Sequence, residues 1–191
     1  MLNIVLFGAP GCGKGTQAQR ISEKYGLNHI STGEVIRGEI ARGSQLGLKM
    51  KSFIESGRLA PDSLVIDIIV DYLDAHRDVN GNIFDGFPRT TAQAEAFDSI
   101  LAERGLKVSA MVYMDVPEQE LVRRILLRGR ESGRADDASE EVIRNRIEVY
   151  NSQTAVVAKH YEAQGKYYRI DGVGSLDEVT SRICQAVDSA K

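Results

Sequence analysis

The chain has 191 residues, of which 42% are hydrophobic and 27% charged; this composition suits one ordinary globular domain with room for a small insert. The net charge of −3 gives no reason to expect nucleic-acid binding. No apolar run approaches the ~20 residues that span a bilayer. The first apolar segment ends in a glycine loop rather than a cleavage site, so it does not resemble a signal peptide. Because the two cysteines, Cys12 and Cys184, form no CxxC pair, we expect neither a secreted disulfide scaffold nor a metal knuckle, and we predict a cytoplasmic protein.

Predicted strands and helices alternate along the chain. In chain order, the patterns predict a strand at 2–7, a helix at 14–25, helices at 32–42 and 45–56, a helix from Pro61 to about residue 75, a strand at 82–84, a helix from Thr90 to about residue 104, a strand at 108–115, a helix from Pro117 to about residue 128, a long helix at 139–164, a strand at 167–170 and a helix from about Ser175. Thr32 opens the helix that follows the second strand, and capping boxes are expected at Ser31/Glu34 and at Thr90/Gln93. This alternation predicts an α/β fold, with a parallel sheet of about five strands between helices.

A glycine-rich loop, GAPGCGKGT at 8–16, lies between the first strand and the first helix. Glycines let backbone N–H groups turn toward phosphate oxygens, and the helix N-terminus adds positive partial charge. Lys14 supplies a full charge for the β- and γ-phosphates of a nucleotide, so this is a Walker A phosphate loop in its expected context. Gly15 occupies the position where a Ser or Thr hydroxyl usually meets magnesium, and Thr16 comes one residue later, which weakens the case for direct ligation of the metal by a hydroxyl.

Arginines concentrate in the stretch 123–146, which contains no lysine. The seven are Arg123, Arg124, Arg128, Arg130, Arg134, Arg144 and Arg146. A planar guanidinium group grips phosphate in a bidentate manner. Interleaved Asp and Glu residues allow an alternative, in which the arginines are solvated and ion-paired on helix surfaces. The stretch alone leaves both interpretations open.

Several segments, taken together, resemble the adenylate kinases among the nucleoside monophosphate kinases. They are the phosphate loop of the form GxPGxGKGT, STGEVIR at 31–37, DGFPRTTAQ at 85–93 and SGRADD at 132–137. These motifs occur in the family's order along the whole chain. The resemblance implies one domain, 1–191, with a P-loop NTPase-type fold, a mobile helical AMP-binding insert at 31–60 and a short lid at 129–138.

The resemblance also implies a role for individual residues. ATP would be bound by Gly11, Cys12, Gly13, Lys14, Gly15, Thr16, Arg124, Arg128 and Gly174. AMP would be bound by Thr32, Gly33, Arg37, Ile54, Arg58, Leu59, Gly86, Phe87, Arg89, Gln93, Arg134 and Arg146. The catalytic groups would be Lys14, Arg89, Arg124, Arg134 and Arg146. Asp85 would hold Mg²⁺ through water molecules.

The activity implied by the resemblance is Mg²⁺-dependent, reversible transfer of the terminal phosphoryl group of ATP to AMP, giving two ADP, by a monomer with nucleotides as its only partners. The acceptor is already an anion, so no general base is needed, and the arginines would offset repulsion between two polyanions. A short lid without a cysteine quartet predicts no structural zinc. The resemblance also implies a cis peptide at Phe87–Pro88, a form that X–Pro bonds can adopt in tight turns.

Two other functions stay open at this point. A UMP/CMP kinase of the same fold usually carries alanine at the position of Thr32 and lacks the glutamine at Gln93, so both residues favour adenine. A non-catalytic nucleotide-binding protein is disfavoured because Lys14, Asp85 and the arginines are all present. Single residues also have structural alternatives: Gln93 can serve the Thr90 cap, Thr32 can be an ordinary helix residue, and Asp85 can be a strand-end cap. His29, His76 and His160 are expected to be structural.

Overall fold

The sheet is entirely parallel, with the strand order β2-β3-β1-β4-β5, in a computed structural model that describes residues 1–137 and 139–191. The strands are β1 (Leu2–Phe7), β2 (Asn28–Ser31), β3 (Gly81–Asp85), β4 (Ala110–Asp115) and β5 (Tyr167–Asp171). Leu2 of β1 pairs with Gly81 on one side, and Ile4 pairs with Ala110 on the other. The predicted α/β fold is confirmed, and β1 carries the glycine loop to the middle of the sheet edge where parallel-sheet proteins bind ligands.

Helices flank this sheet, and most begin at a predicted signal. They are α1 (Lys14–Tyr25), α2 (Thr32–Ala41), α3 (Gln45–Glu55), α4 (Asp62–Ala75), α5 (Thr91–Glu103), α6 (Glu118–Ser132), α7 (Glu140–Val149), α8 (Val157–Glu162) and α9 (Leu176–Ser189). The hydroxyl groups of Ser31 and Thr90 accept hydrogen bonds from the third residue of their helices, which is one half of each predicted capping box. Pro61 and Pro117 stand one residue before α4 and α6 rather than inside them. None of the described helices is long and apolar enough to cross a membrane.

The turn after β3 is anchored in the core by aromatic rings. Phe84 and Phe87 each pack edge-on against Phe97 of α5, with ring centroids 4.8 and 5.1 Å apart. Such pairs contribute roughly 0.5–1.5 kcal/mol each beyond simple burial. The Phe87–Pro88 peptide between strand and helix is cis, which confirms that prediction. The ring of Phe87 is buried in this turn, and its predicted contact with AMP stays a prediction.

Helix α6 is longer than the sequence predicts. Helix α6 continues through Gly129 to Ser132, and Gly133 ends it in the left-handed conformation with φ 62°. The loop predicted to act as the lid therefore starts at Gly133 and not at Gly129, and a 3₁₀ turn, Ala135–Asp137, follows. Ala138, the last residue of the predicted lid, lies outside the described residues. Gly129 reflects a close approach of two segments: a Cβ there would lie 2.5 Å from the backbone oxygen of Asp137.

This crowding predicts the effect of Gly129→Ala. In an exposed helix, Gly→Ala normally stabilises by about 0.5–1 kcal/mol, but here the new methyl group would push the lid backbone away from α6. We expect the variant to lose about 1–3 kcal/mol of unfolding free energy. Gly38→Ala in α2 is the matched control, because a Cβ at Gly38 would lie 3.9 Å from its nearest neighbour, a side-chain nitrogen of Arg42. Chemical denaturation of both variants measures the difference, and equal stabilities would contradict the crowding argument.

The long helix predicted over 139–164 is divided. A π turn, Tyr150–Thr154, separates α7 from α8, and the N–H of Ala155 donates to the oxygen of Tyr150 at 2.8 Å across it. This widened turn fits π-bulges, which often occur at functional sites. Here Tyr150 and Thr154 are both buried and border the cleft described below. The helical pattern was correctly recognised, but the interruption leaves no local sequence signal.

Candidate active site

A cleft of about 800 Å³ opens beside the C-terminal ends of β1 and β3. The predicted site residues on its wall are Gly11, Gly13, Lys14, Gly15, Thr16, Thr32, Gly33, Arg37, Ile54, Arg58, Leu59, Asp85, Gly86, Phe87, Arg89, Gln93, Arg124, Arg128, Arg134 and Arg146. The cleft thus unites the glycine loop, the insert at 31–60, the turn after β3 and the arginines of α6, the lid and α7. Its size lies in the range of pockets that hold a small molecule.

The glycine loop takes a shape that only glycines adopt easily. Gly11 and Gly13 have φ values of 85° and 100°, and a Cβ at Gly11 would lie 2.6 Å from Ile125 of α6. Lys14 folds across the loop, where its Nζ donates to the carbonyl oxygens of Gly8 at 2.8 Å and Ala9 at 3.0 Å. The ammonium group is therefore held at the start of α1, where the helix dipole also favours an anion.

Three arginines on the lid side already have carboxylate partners. Arg128 binds both oxygens of Asp137, at 2.7 and 2.9 Å. Arg146 pairs with Asp137 and with Asp136, whose Oδ2 lies 3.1 Å away. Arg124 donates to Glu120 at 2.7 Å. Burial raises the pKa of the Asp137 carboxyl, but the hydrogen bonds and charges of Arg128 and Arg146 together outweigh it and hold that pKa below its usual value.

Two further arginines are half-buried and lack such a partner. Within the described part of the chain, Arg37 and Arg89 form no ion pair with a carboxylate, and Arg89 donates instead to the Gly86 carbonyl at 2.6 Å. Burial lowers the pKa of Arg89, and the nearby charge of Arg146 lowers it further. Burial and the charge of Arg134 lower the pKa of Arg37 in the same way. Like charges held close together in a partly buried place favour the binding of an anion between them.

The other end of the cleft offers hydrogen bonds rather than charge. The Thr32 hydroxyl donates to the Gly86 carbonyl at 3.0 Å, and only 1% of Thr32 is exposed. Gln93 is equally buried: its Oε1 accepts from the backbone N–H of Arg89 at 2.7 Å, and its Nε2 donates to Asp62 at 2.8 Å. The Gln93 side chain therefore does not return to Thr90 as a capping box would require.

Asp85 stands at the end of β3, facing the glycine loop. It is 8% exposed, and its Oδ2 lies 3.9 Å from His29 Nε2. A Cβ at Gly15 would lie 3.5 Å from that same Oδ2. A carboxylate oxygen so close to a phosphate loop suits Mg²⁺, which prefers oxygen ligands and retains several waters. Among the described residues, no three His, Cys, Asp or Glu side chains gather closely enough to hold a metal by themselves.

Comparison with known protein families agrees with this site. A family model described as adenylate kinase matches residues 6–166. The chain is 53% identical to an adenylate kinase of Bacteroides fragilis over 99% of its own length and 100% of that protein. It is 55% identical to one from Phocaeicola vulgatus, over 98% and 99% of the two chains, and 42% identical to one from Flavobacterium johnsoniae, over 99% and 100%.

The chain belongs to the adenylate kinase family. An adenylate kinase is a phosphotransferase between ATP and AMP, and this class of enzyme is the one that the motifs predicted. The resemblance first drawn from a few short segments therefore extends over almost the full chain.

Two residues expected to bind ATP by analogy with adenylate kinases are absent from the cleft wall. Cys12 is buried beneath the loop, and its N–H donates to the Ala9 carbonyl at 3.2 Å. Gly174 lies after β5, where a Cβ would lie 2.9 Å from Glu178 and 3.5 Å from Arg182 of α9. Neither residue offers a side chain to the cleft, so any contact with ATP would have to involve the backbone.

The structure also reveals a contact that the adenylate kinase motifs do not contain. Asn145 of α7 donates from Nδ2 to the backbone oxygen of Ser56 at 2.6 Å. A Cβ at the neighbouring Gly57 would lie 2.8 Å from Arg146. The insert is thus docked directly against the helix that carries Arg146. Nothing in the local sequence predicts this contact, because its two sides lie in different halves of the chain.

Proposed function

We propose that this chain transfers the terminal phosphoryl group of ATP reversibly to AMP, giving two ADP, with Mg²⁺ accompanying ATP. The observation that supports this proposal best is the pair of half-buried guanidinium groups, Arg37 and Arg89, which form no ion pair with a described carboxylate and lie in the same cleft as the glycine loop. A nucleotide bound by the loop alone would leave those charges unused. A second phosphate group, that of the acceptor, would neutralise them.

The proposed chemistry is direct in-line transfer without a covalent enzyme intermediate. The acceptor phosphate is already ionised, so the protein has to align two anions and neutralise charge rather than remove a proton. Lys14 and the loop N–H groups would hold the donor phosphates, and Arg89, Arg134 and Arg146 would lie around the transferring group. Arg146 would exchange part of its present pairing with Asp137 for phosphate oxygens. Arg124 and Arg128 would assist on the donor side.

Magnesium would be held at Asp85 through water, and it would neutralise charge on the donor phosphates when bound. We propose no structural zinc. We also propose that the insert at 31–60 and the lid loop, which begins at Gly133, close over the nucleotides and exclude water, which suppresses hydrolysis of ATP. A monomer acting in the cytoplasm completes the proposal; the unpaired Cys12 and Cys184 suit a reducing compartment.

The deciding experiment is a coupled assay of ADP formation from ATP with AMP, CMP, UMP or GMP as acceptor, with and without Mg²⁺. We expect efficient turnover with AMP and Mg²⁺ only. Comparable turnover with CMP and UMP would favour a pyrimidine kinase instead. Tight nucleotide binding without any turnover would indicate a non-catalytic nucleotide-binding protein.

Base choice is tested by Thr32→Ala. The hydroxyl proton of Thr32 is donated to Gly86, so its oxygen remains free to accept a hydrogen bond from the amino group of adenine. Losing that bond should raise the KM for AMP on the order of tenfold, or ~1.4 kcal/mol, and let CMP compete better. Gln93→Leu should act in the same direction, whereas the exposed Thr91→Ala should change nothing. An unchanged ratio of kcat/KM for AMP and CMP in both cleft variants would mean that Thr32 and Gln93 serve only the helices.

A further inference from the structure

Asp62, the first residue of α4, connects two helix starts on the acceptor side of the cleft. Its Oδ2 accepts a hydrogen bond from the Thr90 hydroxyl at 3.0 Å, and its Oδ1 accepts one from Gln93 Nε2 at 2.8 Å. The Thr90 oxygen in turn accepts from the backbone N–H of Gln93 at 3.1 Å. Each carboxylate oxygen of Asp62 therefore fixes one polar side chain at the beginning of α5.

The amide group of Gln93 is held between partners of opposite kinds. On one side is the backbone N–H of Arg89, which can only donate, and on the other is the Asp62 carboxylate, which only accepts. Turning the amide over would place N–H against N–H at Arg89 and oxygen against oxygen at Asp62. Since Gln93 is 1% exposed, water cannot relieve either conflict. The positions of the amide oxygen and nitrogen are thus set by the network.

This arrangement leaves Gln93 one free acceptor position on Oε1 and one free N–H on Nε2. The edge of adenine offers an amino donor at carbon 6 beside the N1 acceptor, which is the complementary pattern. A 6-oxopurine such as hypoxanthine has the same ring shape but presents an oxygen and an N1–H, which is the reverse pattern. A 6-oxopurine could be bound equally well only if the Gln93 amide turned over.

We propose that Asp62 is a positioning residue that sets acceptor specificity: by fixing the Gln93 amide, it selects 6-aminopurine nucleotides over 6-oxopurine nucleotides. This inference rests on the proposed function in one respect, namely that the acceptor base lies beside Gln93. Asp62 itself need not touch the base. A site built for one hydrogen-bonding pattern rejects the reverse pattern because its polar groups are left unpaired.

A purely structural role for Asp62 makes a different prediction. A carboxylate in the first turn of α4 also interacts favourably with the helix dipole, and removing it would lower stability. That loss would weaken AMP and IMP use alike, because the two nucleotides differ only at the hydrogen-bonding edge of the base. The ratio of kcat/KM for AMP to that for IMP therefore separates positioning from stability.

The test compares this ratio in wild type, Asp62→Asn and Asp62→Glu. An asparagine side chain can donate to a turned Gln93 amide and so removes one of the two restraints, while the Arg89 N–H still opposes the turn. We therefore expect the AMP-to-IMP ratio to fall severalfold, chiefly through KM. Asp62→Glu keeps two acceptor oxygens and should retain most of the ratio. Asp67→Asn, an exposed position on the same helix, is the matched control and should leave the ratio unchanged. Asp62→Ser, a good helix-start residue, replaces Asp62→Asn if the latter folds poorly.

The outcomes are distinct. A lower melting temperature for Asp62→Asn with an unchanged ratio would overturn the proposal. An unchanged ratio in Asp62→Ser would overturn it as well. The wild-type assay by itself tests the proposed function, because an absence of ADP formation with AMP would contradict it. In that case, calorimetric binding of AMP and IMP to wild type and Asp62→Asn still measures the same selectivity, and an equal AMP-to-IMP affinity ratio in the two proteins contradicts the inference.

Discussion

Lys14→Met is expected to lower kcat by about 10²–10³-fold, the usual cost of removing one group that stabilises charge in a transition state. Methionine keeps a long, flexible side chain but removes the ammonium group that now lies against the Gly8 and Ala9 carbonyls. The fold should persist, because the unusual loop conformation belongs to Gly11 and Gly13 and not to Lys14.

The measurement is ADP formation from ATP and AMP at saturating nucleotide, together with a thermal melt of each protein. Lys159→Met is the control, because that lysine lies exposed on α8, away from the cleft. Near-normal ADP production by Lys14→Met would refute the assignment of the phosphate loop. A much lower melting temperature, or the loss of a cooperative melting transition, would instead show that Lys14 supports the fold.

Arg89→Met is expected to cut kcat/KM by about 10²–10³-fold and yet leave the nucleotide-free protein as stable as wild type, or more stable. Burial and the charge of Arg146 lower the pKa of Arg89 below its ordinary value. A cation whose pKa is lowered by folding destabilises the folded state wherever it is charged, and arginine is charged at every working pH. The Gly86 carbonyl keeps a partner in the variant, because Thr32 also donates to it.

Stability and activity should therefore move in opposite directions for Arg89→Met. The surface variant Arg144→Met, which loses only an exposed pair with Glu140, should change neither quantity by much. The rise in melting temperature caused by saturating ADP should also be smaller in Arg89→Met than in wild type, because the bound state loses an anion contact. A clear loss of stability with full activity would show that Arg89 holds the fold together and does not hold phosphate.

The sequence predicts those features whose causes lie within a few residues. The phosphate loop, the helix caps at Ser31 and Thr90 and the alternation of strands and helices all follow from short patterns, and all are present. The arginine stretch contains residues of two kinds, and phosphate binding stays a prediction for those in the cleft. Arg123 and Arg144 form exposed surface pairs with glutamates, whereas Arg134 and Arg146 line the cleft.

Features that depend on distant segments could not be predicted in this way. In the sequence, Gly129 resembles a glycine that ends a helix. In the structure, it lies within the helix, and the backbone of Asp137 is too close to leave room for a Cβ. The role of Asp62 depends on two hydrogen bonds with the start of α5, and Asn145 meets Ser56 from another part of the chain. Such contacts are fixed by tertiary packing, which short sequence patterns do not encode.

The central position of β1 has a consequence for how the protein is made. Among the strands of the sheet, β1 is synthesised first, but its partners are β3 on one side and β4 on the other. Leu2 can pair only after Gly81 has been synthesised, and Ile4 only after Ala110. At ~5–20 residues per second, that interval lasts on the order of 10 s on the ribosome. During it, the apolar side chains Ile4, Val5 and Leu6, fully buried in the finished enzyme, have no sheet to join. We therefore expect this segment of the nascent chain to be prone to aggregation, and we expect it to suit chaperones that bind short apolar stretches.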